Sequence, residues 1–169
     1  VEQVLPKLLG LAQEVNVIIK LHGFSWSKRR YRYHSEQAKQ ISGEGIYLVT
    51  REDYNIVPYY SVSDMLLSDI SSTLFEYLAL DRPIIQTTFY KPRFKHRILK
   101  SRLRKRLDLA RTEKINFTQH LNHPEELEAV VSETVKNPDS MSEARKKAAE
   151  RYLYRTDGKA SARLVNAIE

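Results

Sequence analysis

The sequence predicts an α/β fold, a Rossmann-like parallel sheet with flanking helices, on three observations. Short β-branched runs of strand length alternate with segments of helical periodicity, the pattern of parallel strands joined by crossover helices. A turn dense in hydroxyls, Ser68 to Ser72, stands between a strand-like run and a helical one. The 169 residues are 41% hydrophobic and 29% charged, a balance that suits a buried core and excludes a mostly disordered chain. Residues 1–169 have the length of one ordinary domain and are expected to form one unit.

Residues 2–14 place Val4, Leu5, Leu8, Leu9 and Leu11 at helical spacing, with Pro6 tolerable only near the first turn. Val15 to His22 is nearly continuous in its apolar character, as expected of a strand covered on both faces. Residues 23–33 are polar, aromatic and basic and read as a loop, followed by a short helix over 34–42. Ile46 to Val49 is a second strand, Tyr59 to Val62 a brief helix after Pro58, and Met65 to Leu67 a third strand. From Thr73, Leu74, Phe75, Leu78 and Ala79 share a helical face. Pro83 then opens a fourth strand through Thr87, the position where a strand tolerates proline. Ile115 to Thr118 reads as a further strand. Helices are expected over 125–136, 141–154 and 160–168, the first opening with Pro124 and two glutamates in its first turn.

Several chemistries are excluded. Without cysteine there is no disulfide framework, thiolate metal site or cysteine nucleophile, which suits a cytoplasmic protein. No apolar run approaches the roughly 18 residues of a membrane span. Walker-type and GxGxxG loops, HExxH and the GxSxG elbow do not occur, so no metal site is expected. The chain opens inside a helical pattern without Met and reads as a fragment of a longer protein.

The Ser68 to Ser72 turn carries the chemistry. In open α/β sheets ligands sit beyond the strands' carboxyl ends, where helix N-termini present unpaired amides that attract phosphate. Ser71 and Ser72 add hydroxyl donors, and Glu76, one helical turn after Ser72, can accept hydrogen bonds from ribose hydroxyls. The same residues also read as ordinary N-caps, with Asp69 a turn former and Glu76 a solvated helix residue. Spacing alone leaves both readings open.

The string from Ser63 through Ser68-Asp69-Ile70-Ser71-Ser72 to Tyr77, followed by Asp81-Arg82-Pro83-Ile84-Ile85, resembles the CDP-glycerol glycerophosphotransferase family of teichoic acid synthesis. The resemblance implies the carboxy-terminal half of a GT-B transferase, with Asp69, Ser71, Ser72 and Glu76 at the donor nucleotide and Glu76 standing where Asp is frequent. Lys20-Leu21-His22 resembles the family's strand-end element, with Lys20 in place of a common Arg. It implies that Lys20 binds the donor phosphates and that His22 holds the pyrophosphate or protonates the leaving group, against the alternative of a structural hydrogen bond. Asp157-Gly158 resembles the family's carboxy-terminal segment, which implies that both lie at the donor, with capping of the last helix as the alternative. A CDP-glycerol-like donor is then a substrate, with no cofactor. The general base is expected on an absent amino-terminal half, so residues 1–169 alone are expected to bind donor weakly at best and to lack transferase activity.

The formal charge of +7 is local in origin. Residues 91–106 hold nine Lys or Arg and no acid, while the rest of the chain carries 19 basic and 21 acidic residues. Around an apolar stripe of Ile98, Leu99, Leu103 and Leu107, the cations Lys95, Arg97, Lys100, Arg102 and Arg104 suit an anionic membrane surface on the cytoplasmic side, as a polyprenyl-linked acceptor requires, or a polymeric acceptor. A solvated charged helix is the plainer reading. Nucleic acid is disfavoured, because no RNA-binding signature accompanies the aromatic and basic residues of 24–33. The competing functions are another GT-B member using a UDP-sugar, as glycosyltransferase or epimerase, and a non-catalytic adaptor for membrane or polyanion.

Overall fold

The computed structural model describes residues 3–89 and 115–168. Its contacts divide the chain into two compact units, Val1–Ser63 with Asn122–Glu133 and Asp64–Leu121 with Thr134–Glu169. All strand pairings of both sheets are parallel, and helices flank them. This is the predicted α/β class.

The first unit opens with a 3-10 turn, Leu5–Lys7, whose first turn accommodates Pro6, and continues as α1 (Leu8–Leu11). Val4, Leu5, Leu8 and Leu11 are buried as the apolar spacing predicts, whereas Leu9 is 52% exposed on the opposite side. Strand β1 (Val17–Ile19) leads through α2 (Phe24–Ser27), a 3-10 turn (Arg29–Tyr31) and α3 (Tyr33–Ile41) to β2 (Ile46–Leu48) and α4 (Val57–Val62). β1 and β2 form a two-stranded sheet with Ile18 opposite Tyr47. Gly45, at φ 75°, turns the chain into β2, and a Cβ there would lie 3.0 Å from the Ala12 carbonyl oxygen.

Two expectations are corrected in this unit. β1 is not covered on both faces: Ile18 is 36% exposed and its partner Tyr47 57%. A continuous apolar run does not reveal which of its members the fold covers. Residues 23–33, read as a loop, contain α2 and a 3-10 turn, closed by bonds such as Ser27 Oγ to the Gly23 carbonyl at 3.1 Å. Turns this short need no amphipathic period, so periodicity misses them.

In the second unit β3 (Leu66–Ser68) leads to α5 (Ser72–Glu76), which tightens into a 3-10 turn, Tyr77–Leu80, before β4 (Ile84–Thr87). β5 (Gln119–Leu121) completes a sheet of order β3-β4-β5. Leu74, Tyr77 and Leu78 bury one face of the helical segment, each contributing about 1.5–3 kcal/mol of apolar burial. Ile84, Ile85, Phe117 and Leu121 join the same unit's core. The predicted strand at 115–118 is displaced to β5: Ile115, Phe117 and Thr118 are buried, but the ladder with β4 begins at Gln119. Burial and pairing are separate properties, and sequence pattern reports only the first. Thr118 Oγ1 instead donates to buried Gln86 Oε1 at 3.0 Å, which supplies the partner that a buried amide requires.

After a 3-10 turn at Pro124–Glu126, α6 (Leu127–Lys136), α7 (Ser142–Leu153) and α8 (Ala160–Ile168) follow the predicted helical spans closely. The Glu126 carboxylate accepts the His123 N–H at 3.2 Å in a capping box that fixes the start. α7 meets the end of the α5 segment through Arg145, 2% exposed. Its Nε donates to Asp81 Oδ1 at 3.0 Å, and its Nη2 to the Asp81 and Pro138 carbonyls at 3.0 and 3.2 Å. Asp81 itself is left-handed, at φ 49°, and ends the segment.

Candidate functional site

Because β3, β4 and β5 are parallel, their last residues, Ser68, Thr87 and Leu121, lie at one edge of the sheet. The chain leaves Ser68 through a turn and enters α5 at Ser71, whose extended backbone (φ −148°, ψ 162°) makes it the N-cap. Ser71 Oγ accepts the Thr73 N–H at 3.4 Å, and the Ser68 and Thr73 hydroxyls bond across the turn at 3.1 Å. The capping reading is therefore realised. It does not consume the hydroxyl, because an oxygen that accepts still has a proton to donate. Ser72 and Glu76 are exposed four residues apart on one helical face, and Asp69 is exposed in the turn. Four predicted residues, Asp69, Ser71, Ser72 and Glu76, thus belong to one short segment at the carboxyl edge. Thr88, not among the predicted residues, joins this edge by bonding the Leu121 carbonyl through both its N–H (2.9 Å) and its hydroxyl (3.2 Å). A hydroxyl directly after a strand's carboxyl end was the available signal.

Lys20 and His22 lie in the first unit, just after β1. Lys20 Nζ donates to the Asp53 carbonyl at 2.7 Å, which uses one of its three donors and holds the 51–55 turn. In the same turn the Tyr59 hydroxyl donates to the Asp53 carboxylate. That hydrogen bond, with lesser contributions from burial and the negative charge of Asp53, pushes the Tyr59 hydroxyl up to about 12. Tyr59 also stacks on Tyr47, ring centres 6.4 Å apart. His22 is exposed, and its Nδ1 accepts the Phe24 N–H at 3.1 Å. With Nδ1 occupied as acceptor, the neutral ring carries its proton on Nε2, which is then a donor.

Asp157 and Gly158 form the turn before α8. Asp157 Oδ1 accepts the Lys159 N–H at 3.0 Å, and Arg163 Nη1 lies 2.9 Å from both carboxylate oxygens. These bonds, the Arg163 one first, hold the Asp157 carboxyl below its ordinary value. Gly158 has φ 71°, a conformation that costs any residue with a Cβ. The segment is a turn ahead of α8 that the Asp157 carboxylate closes. Lys95, Arg97, Lys100, Arg102 and Arg104 lie outside the described residues. Among the described residues no helix is long and apolar enough to cross a membrane, and no group of His, Asp or Glu is arranged to hold a metal.

A family model described as CDP-glycerol:poly(glycerophosphate) glycerophosphotransferase matches residues 8–169. No curated protein and no solved structure matches the chain. The match spans the Ser68 to Ser72 turn, the Lys20 to His22 element and the Asp157-Gly158 turn.

Proposed function

The chain belongs to the CDP-glycerol:poly(glycerophosphate) glycerophosphotransferase family, whose transfer chemistry uses a nucleotide-activated donor, and from that premise we propose that its second unit holds CDP-glycerol at the β3–α5 turn. The observation that carries the reading is the coincidence of the family match with a hydroxyl-rich turn at the carboxyl edge of a parallel sheet. Ser71 and Ser72 donate to phosphate oxygens, and Glu76 accepts from ribose hydroxyls. In the transfer an acceptor oxygen bonds to the glycerol-bearing phosphorus, the bond from that phosphorus to the CMP oxygen breaks with its electron pair left on CMP, and the acceptor's proton passes to a general base. Charge develops on the departing CMP phosphate, so donors placed there stabilise the transition state more than the ground state. In the first unit His22 presents Nε2–H and Lys20 keeps two ammonium protons, donors of the kind that a phosphate takes. The acceptor is a cell-wall or surface polymer in a GT-B enzyme peripheral to the cytoplasmic membrane face.

Calorimetric titration with CDP-glycerol, CDP, UDP and UDP-sugars tests this. Selective cytidine binding, weakened at least about tenfold in Ser71→Ala and Glu76→Ala, is expected, since each change removes a hydrogen bond to a charged or polyhydroxyl group. Preference for UDP-sugars would move the chain to sugar transfer, and equal affinity in the variants would remove the turn from the site.

A further inference from the structure

A cavity of about 440 Å³ opens in the first unit at the carboxyl end of β2, and none of the residues discussed above as donor-binding lines it. Its volume lies within the range of small-ligand sites. Arg32, Glu36 and Lys39 reach it from the start and one face of α3, at the i, i+4, i+7 spacing that aligns side chains along a helix. Arg51 and Glu52 come from the chain leaving β2, and Trp26 of α2 forms an aromatic wall. The Lys39 ammonium stands 5.5 Å over the Trp26 ring. Arg32 and Glu36 are placed to pair with each other, yet among the described residues neither guanidinium nor either carboxylate of the cavity enters an ion pair. Two guanidinium forks and two carboxylates therefore face one space without being spent on the fold.

That set has a definite charge and chemistry. Three cations against two carboxylates leave one net positive charge, matching the single negative charge of a phosphodiester. A nucleoside diphosphate would bring two or more negative charges against the same carboxylates. Guanidinium forks grip a pair of phosphate oxygens, carboxylates accept from hydroxyls, and an indole face covers aliphatic carbon. We propose that this cavity binds a phosphodiester-linked polyol chain, one repeat at a time, and so seats the polymeric acceptor of the transfer. The identity of the ligand rests on the reading under Proposed function, whereas the cavity's preference for a monoanionic polyol phosphate stands on its own residues.

Trp26 is the only tryptophan, so selectively excited indole fluorescence reports on this cavity. The 169-residue chain is titrated at low salt with a synthetic oligomer of glycerol joined by phosphodiesters, and in parallel with CDP and with phosphatidylglycerol vesicles. The expected result is a saturable change with the oligomer, weakened at least about tenfold in Arg32→Gln and in Arg51→Gln, as loss of a charge-assisted bond requires. Both side chains are exposed and make no bond within the described fold, so the variants are expected to melt with the parent. A silent indole, unchanged affinity in both variants, displacement of the oligomer by CDP, or a response to vesicles but not to the oligomer overturns the proposal. A silent indole alongside Ser71-dependent CDP-glycerol binding leaves the donor reading standing. An arginine-dependent indole response with no cytidine binding supports the cavity and overturns the donor reading alone.

Discussion

The segment from Ser71 to Asp81 begins at a half-buried turn of hydroxyls and ends at a carboxylate gripped by a buried arginine, so its two ends satisfy their polar groups in different ways. At the start, Ser71 and Ser68 make one bond each to Thr73, and both hydroxyls keep capacity for a ligand. At the end, Asp81 accepts from Ser142 Oγ at 2.7 Å and Arg145 Nε at 3.0 Å, with Lys146 Nζ at 3.5 Å. The contrast shows a division of labour: rigidity is anchored at Asp81, and the start is left chemically available. The proposed phosphate contacts of the turn would benefit from such support, because donors stabilise a transition state best when they need no rearrangement.

The first way to break this comparison is to remove the anchor. Asp81→Ala strands the buried Arg145 guanidinium without its carboxylate and places a Cβ residue with no local hydrogen bond in the left-handed region. Arg145 is buried but Asp81 is 34% exposed, and the guanidinium keeps its two carbonyl partners, so urea denaturation is expected to show a loss of about 1–3 kcal/mol, the cost of leaving a buried donor unpaired. A loss below about 1 kcal/mol would mean that the Arg145 contacts are incidental.

Acid tests the same anchor by degrees. Burial alone raises the Asp81 carboxyl, but hydrogen bonds from Ser142 and Arg145 and the charges of Arg145 and Lys146 outweigh it and hold the group below its ordinary value. The folded group thus releases its proton more readily than the unfolded one. Its contribution to stability is complete above the unfolded carboxyl's titration near pH 4 and is lost as pH falls through the lower folded value. Denaturation midpoints followed downward from neutral pH should fall less steeply in Asp81→Asn than in the parent, and identical slopes would exclude Asp81 as a contributor.

How much of this was legible in the sequence follows the same division. The start of the segment could be read, because a strand, a serine-rich turn and the Leu74 and Leu78 stripe are local patterns. Its anchor could not: Arg145 lies 64 positions from Asp81, and nothing in an amphipathic stretch of α7 marks one arginine as buried. Lys20 was legible as a strand-end cation but not as a donor to the Asp53 carbonyl, since a backbone acceptor 33 residues away leaves no trace in composition. The cavity beside Trp26 was missed for a similar reason: the polarity of residues 24–33 was visible, but the short turns that gather Trp26 and Arg32 with Arg51 have no period.

Smaller effects separate capping from ligand contact. Ser71→Ala removes the acceptor for the Thr73 N–H and is expected to cost about 1 kcal/mol, the usual loss for an N-cap serine. Gly158→Ala gives a benchmark in the turn ahead of α8, away from the β3–α5 turn. Open space surrounds its missing Cβ, so its cost, about 1 kcal/mol, comes from φ alone. If both variants lose similar stability and only Ser71→Ala loses cytidine binding, the β3–α5 turn carries a function that the Gly158 turn does not.

Ser71→Asn has the smallest expected effect on stability and divides the two roles most finely. Asparagine caps helices about as well as serine, its side-chain oxygen accepting from the same first-turn amide, so the denaturation midpoint should move by no more than about 0.5 kcal/mol. The hydroxyl donor is gone, however, and the amide that replaces it is bulkier and differently directed. CDP-glycerol affinity should therefore fall while the fold stays level, whereas Ser71→Ala loses both. A variant that keeps its stability and also its full donor affinity would show that Ser71 is a cap alone, and would place the phosphate contacts of the turn on Ser72.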